Sequence, residues 1–296
     1  MIRQLCLAVA LLVAGVAAGT SIRQAPAADT PALTALKGSA LKVAIADESF
    51  WPFHETNAQG KTEGFDADIA SALCAKMEVK CTFVTASWDD TIPHLIQKKY
   101  DFLVTAMEAT ASRRQVVDFT IPYAGDPWKL LAKQGAAFPI TKEGLSGRTI
   151  GIQRTCPTWD GKAENFLRSK FGKGARIKVY DVYARCPSSG LFAFDEKYQK
   201  DSQANYDRMI ADLDQGRIDL VFDSKLSMHW SGLTERGARV FVGPDFFDYM
   251  DGSSIAVRKR EPKLLDALNA AIKAIRVDGT YQTIMARYFP FEIYGG

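Results

Sequence analysis

Tyr-Asp-Phe-Leu-Val-Thr-Ala-Met-Glu-Ala-Thr-Ala-Ser-Arg-Arg-Gln-Val-Val-Asp-Phe-Thr-Ile-Pro-Tyr, residues 100 to 123, decides how the rest of the chain is read. Its first part, Tyr100 to Met107, is a short apolar, β-favouring run of the kind that forms a buried parallel strand. Thr110 or Ser112, both good N-caps, then opens a helical turn carrying Arg113 and Arg114. An arginine pair by itself is ordinarily a solvated surface feature. At the junction of a strand end and a helix start it has a different meaning. In an open α/β sheet ligands bind there, because a helix N-terminus offers unpaired N–H groups and a guanidinium fork can hold a carboxylate bidentately. The stretch therefore predicts a site for a small anion.

Outward from that stretch, residues 1–28 have the features of a secretory signal: Arg3 as the positive start, an apolar run from Leu5 to Ala18, and Ala25-Pro26-Ala27 as the cleavage motif. The apolar run is too short to cross a bilayer, and Cys6 precedes it, which excludes a lipobox. The mature chain is expected to be soluble and exported. Without Arg3 and Arg23, 35 basic residues face 34 acidic ones, a balance that argues against nucleic acid or an anionic membrane as partner. Of the five cysteines, Cys74, Cys81, Cys156 and Cys186 remain after cleavage, and an even number in an exported chain favours disulfides. A Cys74–Cys81 bridge would staple a helix end to the following strand, and Cys156–Cys186 would be the second pair. Their spacing and the scattered His54, His94 and His229 argue against a metal site, and no cofactor motif is present.

Along the chain, Leu41–Ala46 reads as the first strand and Asp47–His54 as an aromatic loop, followed by turn residues at 57–60 that close a hairpin. A helix from Gly64 to about Met77, a strand at Val79–Thr85 and a short helix from Trp88 to Lys98 come next. A second series gives strands at Lys129–Lys133, 147–152 and Arg176–Tyr180, with a helix at Trp159–Phe171. Residues 181–203 lack a steady period and read as a long loop. A helix at Tyr206–Gln215, strands at Ile218–Phe222, Arg239–Val242 and Ser254–Val257, and two helices within Pro262–Phe289 complete an α/β chain expected to form parallel sheets.

Three segments together resemble one family: Gly64-Phe65-Asp66-Ala67-Asp68, then Asp101 through Arg114-Gln115 to Phe119, and Asp278-Gly279-Thr280-Tyr281 with Arg287-Tyr288-Phe289. Their order and spacing are similar to those of the periplasmic solute-binding proteins of amino-acid ABC importers, above all the lysine/arginine/ornithine, histidine and opine binders. The resemblance runs from Leu41 to Gly296 and extends to the Cys74/Cys81 spacing. It implies an α/β two-lobed periplasmic-binding-protein fold of type II with two hinge crossovers, near 125–128 and 247–252. Lobe 1 would then comprise residues 29–126 and 248–296, and lobe 2 residues 127–247.

By the same resemblance Arg114 grips an α-carboxylate, Phe50 and Trp88 enclose the ligand side chain, and Thr105 and Ala106 meet it at the strand end. Thr155 and Cys156 cap the carboxylate from the second lobe. Three positions depart from the family pattern. Glu108 stands in place of Ser or Gly, Arg154-Thr155-Cys156-Pro157 replaces the usual turn, and Ser224 occupies the position of the ammonium-binding Asp, with Asp223 one residue earlier. The implied function is that of a monomeric receptor, not an enzyme, which captures an amino acid, basic or opine-like, and delivers it to a membrane permease. Two other classes use this fold: periplasmic cyclohexadienyl or arogenate dehydratases, for which Glu108 would be the general acid, and accessory or sensor proteins.

Overall fold

The computed structural model describes residues 30–154, 161–181, 196–234 and 238–294. A short α1 (Thr30–Leu33) leads into β1 (Ala40–Ala46), whose last four residues are buried. The aromatic loop and a hairpin of β2 (Glu55–Thr56) and β3 (Thr62–Glu63) follow. Gly64 then starts α2 (Phe65–Lys76) at φ 118°, and a Cβ there would lie 2.5 Å from the Phe53 carbonyl oxygen, so only glycine fits. The Cys74–Cys81 disulfide ties α2 to β4 (Lys80–Ala86), as expected. Cys156 and Cys186 lie outside the described residues.

A 3₁₀ turn at Trp88–Asp90 runs into α3 (Thr91–Ile96), then β5 (Phe102–Leu103), α4 (Ala111–Val116) and β6 (Val117–Ala124). The expected strand Tyr100–Met107 is thus paired as β5 over two residues only, because the backbone turns at Ala106, φ 48°. Val117–Ala124, for which the sequence suggested no element, is a full strand with a β-branched start and mostly buried residues.

The second half contains β7 (Trp128–Lys133), β8 (Thr149–Arg154), α5 (Lys162–Phe171), β9 (Arg176–Asp181), α6 (Glu196–Asp214), β10 (Leu220–Ser224), α7 (Lys225–Trp230) and β11 (Arg239–Phe246). The chain ends with β12 (Ser253–Arg258), α8 (Pro262–Val277) and α9 (Thr280–Tyr288). The long-loop reading of 181–203 fails from Glu196 onward. The packed half of α6, with Tyr206, Met209, Ile210 and Leu213 on the sheet, nucleates a helix that the Glu, Lys and Gln residues before it extend.

Two five-stranded sheets result, ordered β4-β1-β5-β12-β6 and β11-β7-β10-β8-β9. The chain passes between them twice, from β6 to β7 and from β11 to β12. Neither sheet is purely parallel, contrary to expectation. β1 runs parallel to β4 and β5, and β8 to β9 and β10, but β12 is antiparallel to β5 and β6, and β7 to β10 and β11. The physical reason is the passage itself: β7 and β12 each enter their sheet directly from a strand of the other sheet, not through a helical crossover from a neighbour in the same sheet.

Each sheet has its own core. In the first, Phe65 is fully buried and meets Phe53, Tyr123, Tyr281, Tyr288 and Phe289 within 6.2 Å between ring centres. α8 lays Leu264, Leu268, Ala271, Ile272 and Ile275, at helical spacing, against the same cluster. In the second, Phe222 stands among Trp128, Phe166, Phe246 and Tyr249. At the first passage a Cβ on Gly125 would fall 2.3 Å from the Ile293 carbonyl oxygen, so the C-terminal segment closes directly on the crossing chain.

Candidate functional site

The two arginines separate. Thr110 is the N-cap of α4, its hydroxyl accepting the Arg113 N–H at 3.4 Å, which fixes the phase of the turn. Adjacent helix residues point about 100° apart, so only one of the pair can face inward. Arg113 is the one: it is half-buried, its guanidinium carbon lies 5.5 Å from the Trp88 ring centre, and its Nη1 donates to the Glu108 carbonyl at 2.9 Å. Burial lowers its pKa, opposed by the Glu108 charge. Arg114 is exposed, lies over Phe119 at 5.6 Å and donates from Nε to the Ala109 carbonyl. The site expectation placed on Arg114 therefore falls at a residue turned away from Trp88 and Glu108. With only six residues, α4 supplies little helix dipole, and the positive charge comes from the guanidinium.

Trp88 joins this cation to an acid. Its backbone N–H donates to both carboxylate oxygens of Glu48, at 2.9 and 3.0 Å, while its indole Nε1 is buried without a hydrogen-bond partner among the described residues. Asp47 adjoins Glu48 at the end of β1, and burial together with the Glu48 carboxyl raises its pKa. Phe50 is 49% exposed and stacked on Phe53 at 5.2 Å. Thr105 is buried, its hydroxyl accepting the Ala46 N–H at 3.2 Å, and Ala106 donates its N–H to the Tyr123 hydroxyl at 2.8 Å.

Glu108 sits between the two sheets. Its backbone bridges Ser253 at the second passage, and its Oε1 lies 3.9 Å from Nζ of Lys162, the first residue of α5. Burial is the main cause of its raised pKa; the Lys162 charge opposes it and the Asp251 charge adds to it. Lys162 also approaches Met250 Sδ at 3.4 Å and lies over the Tyr249 ring.

At the end of β10, Asp223 is only 7% exposed and accepts the Ser224 N–H at 2.7 Å. Ser224 caps α7, accepting the Ser227 N–H at 3.0 Å and donating its hydroxyl to Asp126 Oδ1 at 2.8 Å. Burial pushes the carboxyls of both Asp126 and Asp223 up to about 7, and no basic side chain among the described residues lowers either. Asp126 is partly exposed on the first passage. Thr155 and Cys156 lie outside the described residues.

Five of the expected positions are thus gathered at the strand ends of the first sheet: Phe50, Trp88, Thr105, Ala106 and Glu108. Asp47, Glu48 and Arg113 beside them, Asp126 on the first passage and Lys162 at the start of α5 were not anticipated. The cap at Thr110, combined with helical phase, was the available signal for Arg113; the acid in Gly125-Asp126-Pro127 was the signal for the passage.

The model of the bacterial extracellular solute-binding proteins, family 3, matches residues 41–291, so the chain belongs to that family. It is 32% identical over 254 residues to the L-arginine-binding protein of Pseudomonas aeruginosa, covering 84% of this chain and 88% of that one. To the lysine/arginine/ornithine-binding periplasmic protein of Escherichia coli it is 29% identical over 255 residues, with 84% and 87% covered. Both relatives are named for binding. Among solved structures, the L-cystine solute receptor of Neisseria gonorrhoeae in its unliganded open conformation matches with TM-score 0.63 at 17% identity, covering 87% of this chain and 96% of that one. The two sheets accordingly form the two-lobed fold of a solute-binding protein.

Proposed function

We propose that this protein is a periplasmic receptor for an amino acid with a cationic side chain, or an arginine-derived opine, which it delivers to the permease of an ABC importer. The reading rests on Trp88: one aromatic residue carries the Arg113 guanidinium against its ring and the Glu48 carboxylate on its backbone, so a carboxylate acceptor and an acid pair, Asp47 and Glu48, flank one apolar surface. That arrangement complements a ligand with a carboxylate at one end, a methylene stem and a cation at the other. The names of the relatives support the ligand class. Arg113 takes the α-carboxylate, Asp47 and Glu48 the distal cation, and Asp126, held to Ser224, the α-ammonium.

We assign residues 29–126 and 248–296 to lobe 1 and 127–247 to lobe 2, with cleavage of 1–28 on export. Closure is a hinge motion about the two passages, driven by ligand contacts to both lobes. Thermal shift of the mature chain with a panel of amino acids and opines tests this. A bound ligand at about 100 times its Kd adds about 2.7 kcal/mol. Arginine, lysine, ornithine or an opine should raise Tm while leucine and glutamate do not, and silence from every cationic ligand would refute the reading.

A further inference from the structure

Beneath the lobe-1 wall of the cleft runs a polar chain whose side chains, His54, Asp66 and Tyr123, are buried behind the expected ligand positions. His54 Nδ1 lies 2.8 Å from Asp66 Oδ2, the Tyr123 hydroxyl donates to Asp66 Oδ1 at 2.5 Å, and the Ala106 N–H donates to the Tyr123 oxygen at 2.8 Å. His54 is 2% exposed and Asp66 and Tyr123 are fully buried. Burial raises the Asp66 carboxyl, and the His54 and Tyr123 hydrogen bonds oppose that rise. A polar chain this deep is costly unless every member is satisfied, and satisfied it fixes direction in a way that apolar packing cannot.

Both ends of the chain reach the cleft. At one end, Ala106 holds φ 48°, a left-handed conformation disfavoured for any residue with a Cβ, and Tyr123 receives its N–H. Its neighbour Thr105 is pinned separately by the Ala46 N–H. At the other end the His54 backbone pairs with exposed Phe50, N–H to carbonyl in both directions at 2.8 and 3.1 Å. Phe50 and the 105–106 turn are separated by more than fifty residues, and this chain is a direct hydrogen-bonded connection between them.

We propose that His54, Asp66 and Tyr123 are positioning residues for ligand binding: the buried relay holds the Phe50 loop and the Thr105–Ala106 turn in the mutual arrangement that receives the ligand. The inference rests on the receptor reading above. Removing a member should loosen both walls and lower affinity through lost preorganisation.

The test compares the mature protein with Tyr123→Phe, His54→Leu, His54→Asn and, as a control for general destabilisation, Leu268→Ala in the same core. Amide hydrogen exchange of the ligand-free proteins is measured first. Tyr123→Phe and His54→Leu should speed exchange at Ala106 and Phe50 while the α8 amides, compared at matched distance from each Tm, keep their protection. His54→Asn, which retains a donor to Asp66, should resemble the wild type. Calorimetry with L-arginine should then show about a tenfold weaker Kd for Tyr123→Phe and His54→Leu, against less than about threefold for Leu268→Ala. Unchanged exchange at both walls, or an affinity loss no larger than that of the control, would overturn the relay. A wild type that bound no amino acid would refute the receptor reading instead, and the exchange measurements would still decide whether the relay positions the walls.

Discussion

The guanidinium of Arg113 lies 5.5 Å from the Trp88 ring centre while that of Arg114, one residue later, lies over Phe119. The two charges therefore do different work. Arg113→Ala should cost on the order of 2–5 kcal/mol of binding, because a desolvated carboxylate would lose its charged partner. Arg114→Ala should cost less than about 0.5 kcal/mol, as an exposed cation. Calorimetry with L-arginine on both variants checks the order, and a larger loss at Arg114 would reverse the assignment.

Asp47 adjoins Glu48, whose carboxylate accepts the Trp88 N–H, and a bound cation would relieve the repulsion of the pair. Asp47→Asn combined with Glu48→Gln should reduce affinity for arginine and lysine about tenfold, while glutamine binding holds or improves. Competition binding against the three amino acids reads the change in preference. Equal losses for all three would assign the pair to loop structure and not to selectivity.

The Asp126 carboxyl, held near 7 by burial, must be ionised to receive an ammonium group. Arginine should then bind more weakly as pH falls from 7.5 to 5.5. 5-Guanidinopentanoate, which lacks the α-amino group, should show no such fall, and Asp126→Asn should bring arginine down to the affinity of that analogue. If both ligands lose affinity in parallel, Asp126 serves the α7 cap alone.

Asp223 links the same strand to stability. Burial raises it to about 7 in the folded protein, against roughly 3.9 in the unfolded chain. Between those values the folded state holds more protons, so its contribution to the unfolding free energy declines as pH rises from about 4 to 7 and is level above 7. Asp223→Asn keeps the acceptor for the Ser224 N–H without the charge. It should raise Tm by about 5 °C at pH 8 and leave it nearly unchanged at pH 4. A gain of equal size at both values would show that Asp223 is not protonated in the folded state.

Local signals were legible where one segment's own chemistry decides its conformation. The turn residues at 57–60, the glycine before Phe65, the helix-to-strand disulfide and the two C-terminal helices are all of this kind. Val117–Ala124 was not legible as a strand, because its partner β12 lies more than a hundred residues away and only that pairing extends it. The α6 helix before Gln203 escaped notice because its own residues carry no apolar period, and the packing that nucleates it belongs to Met209 and Leu213 further on.

By itself, the sequence determined the α/β class and the family, since the strand-end junction at Tyr100–Tyr123 and the order of three motifs are properties of the linear chain. Tertiary structure decided which side chains meet. Helical phase set by the Thr110 hydroxyl turns Arg113 toward Trp88 and Arg114 away. The passage from β6 to β7 carries Asp126 to Ser224, 98 residues later. His54 and Tyr123 meet only because both hydrogen-bond the same buried carboxylate. The last two depend on a direction in space fixed by hydrogen bonds between residues apart in the chain, and direction is what a one-dimensional pattern does not contain.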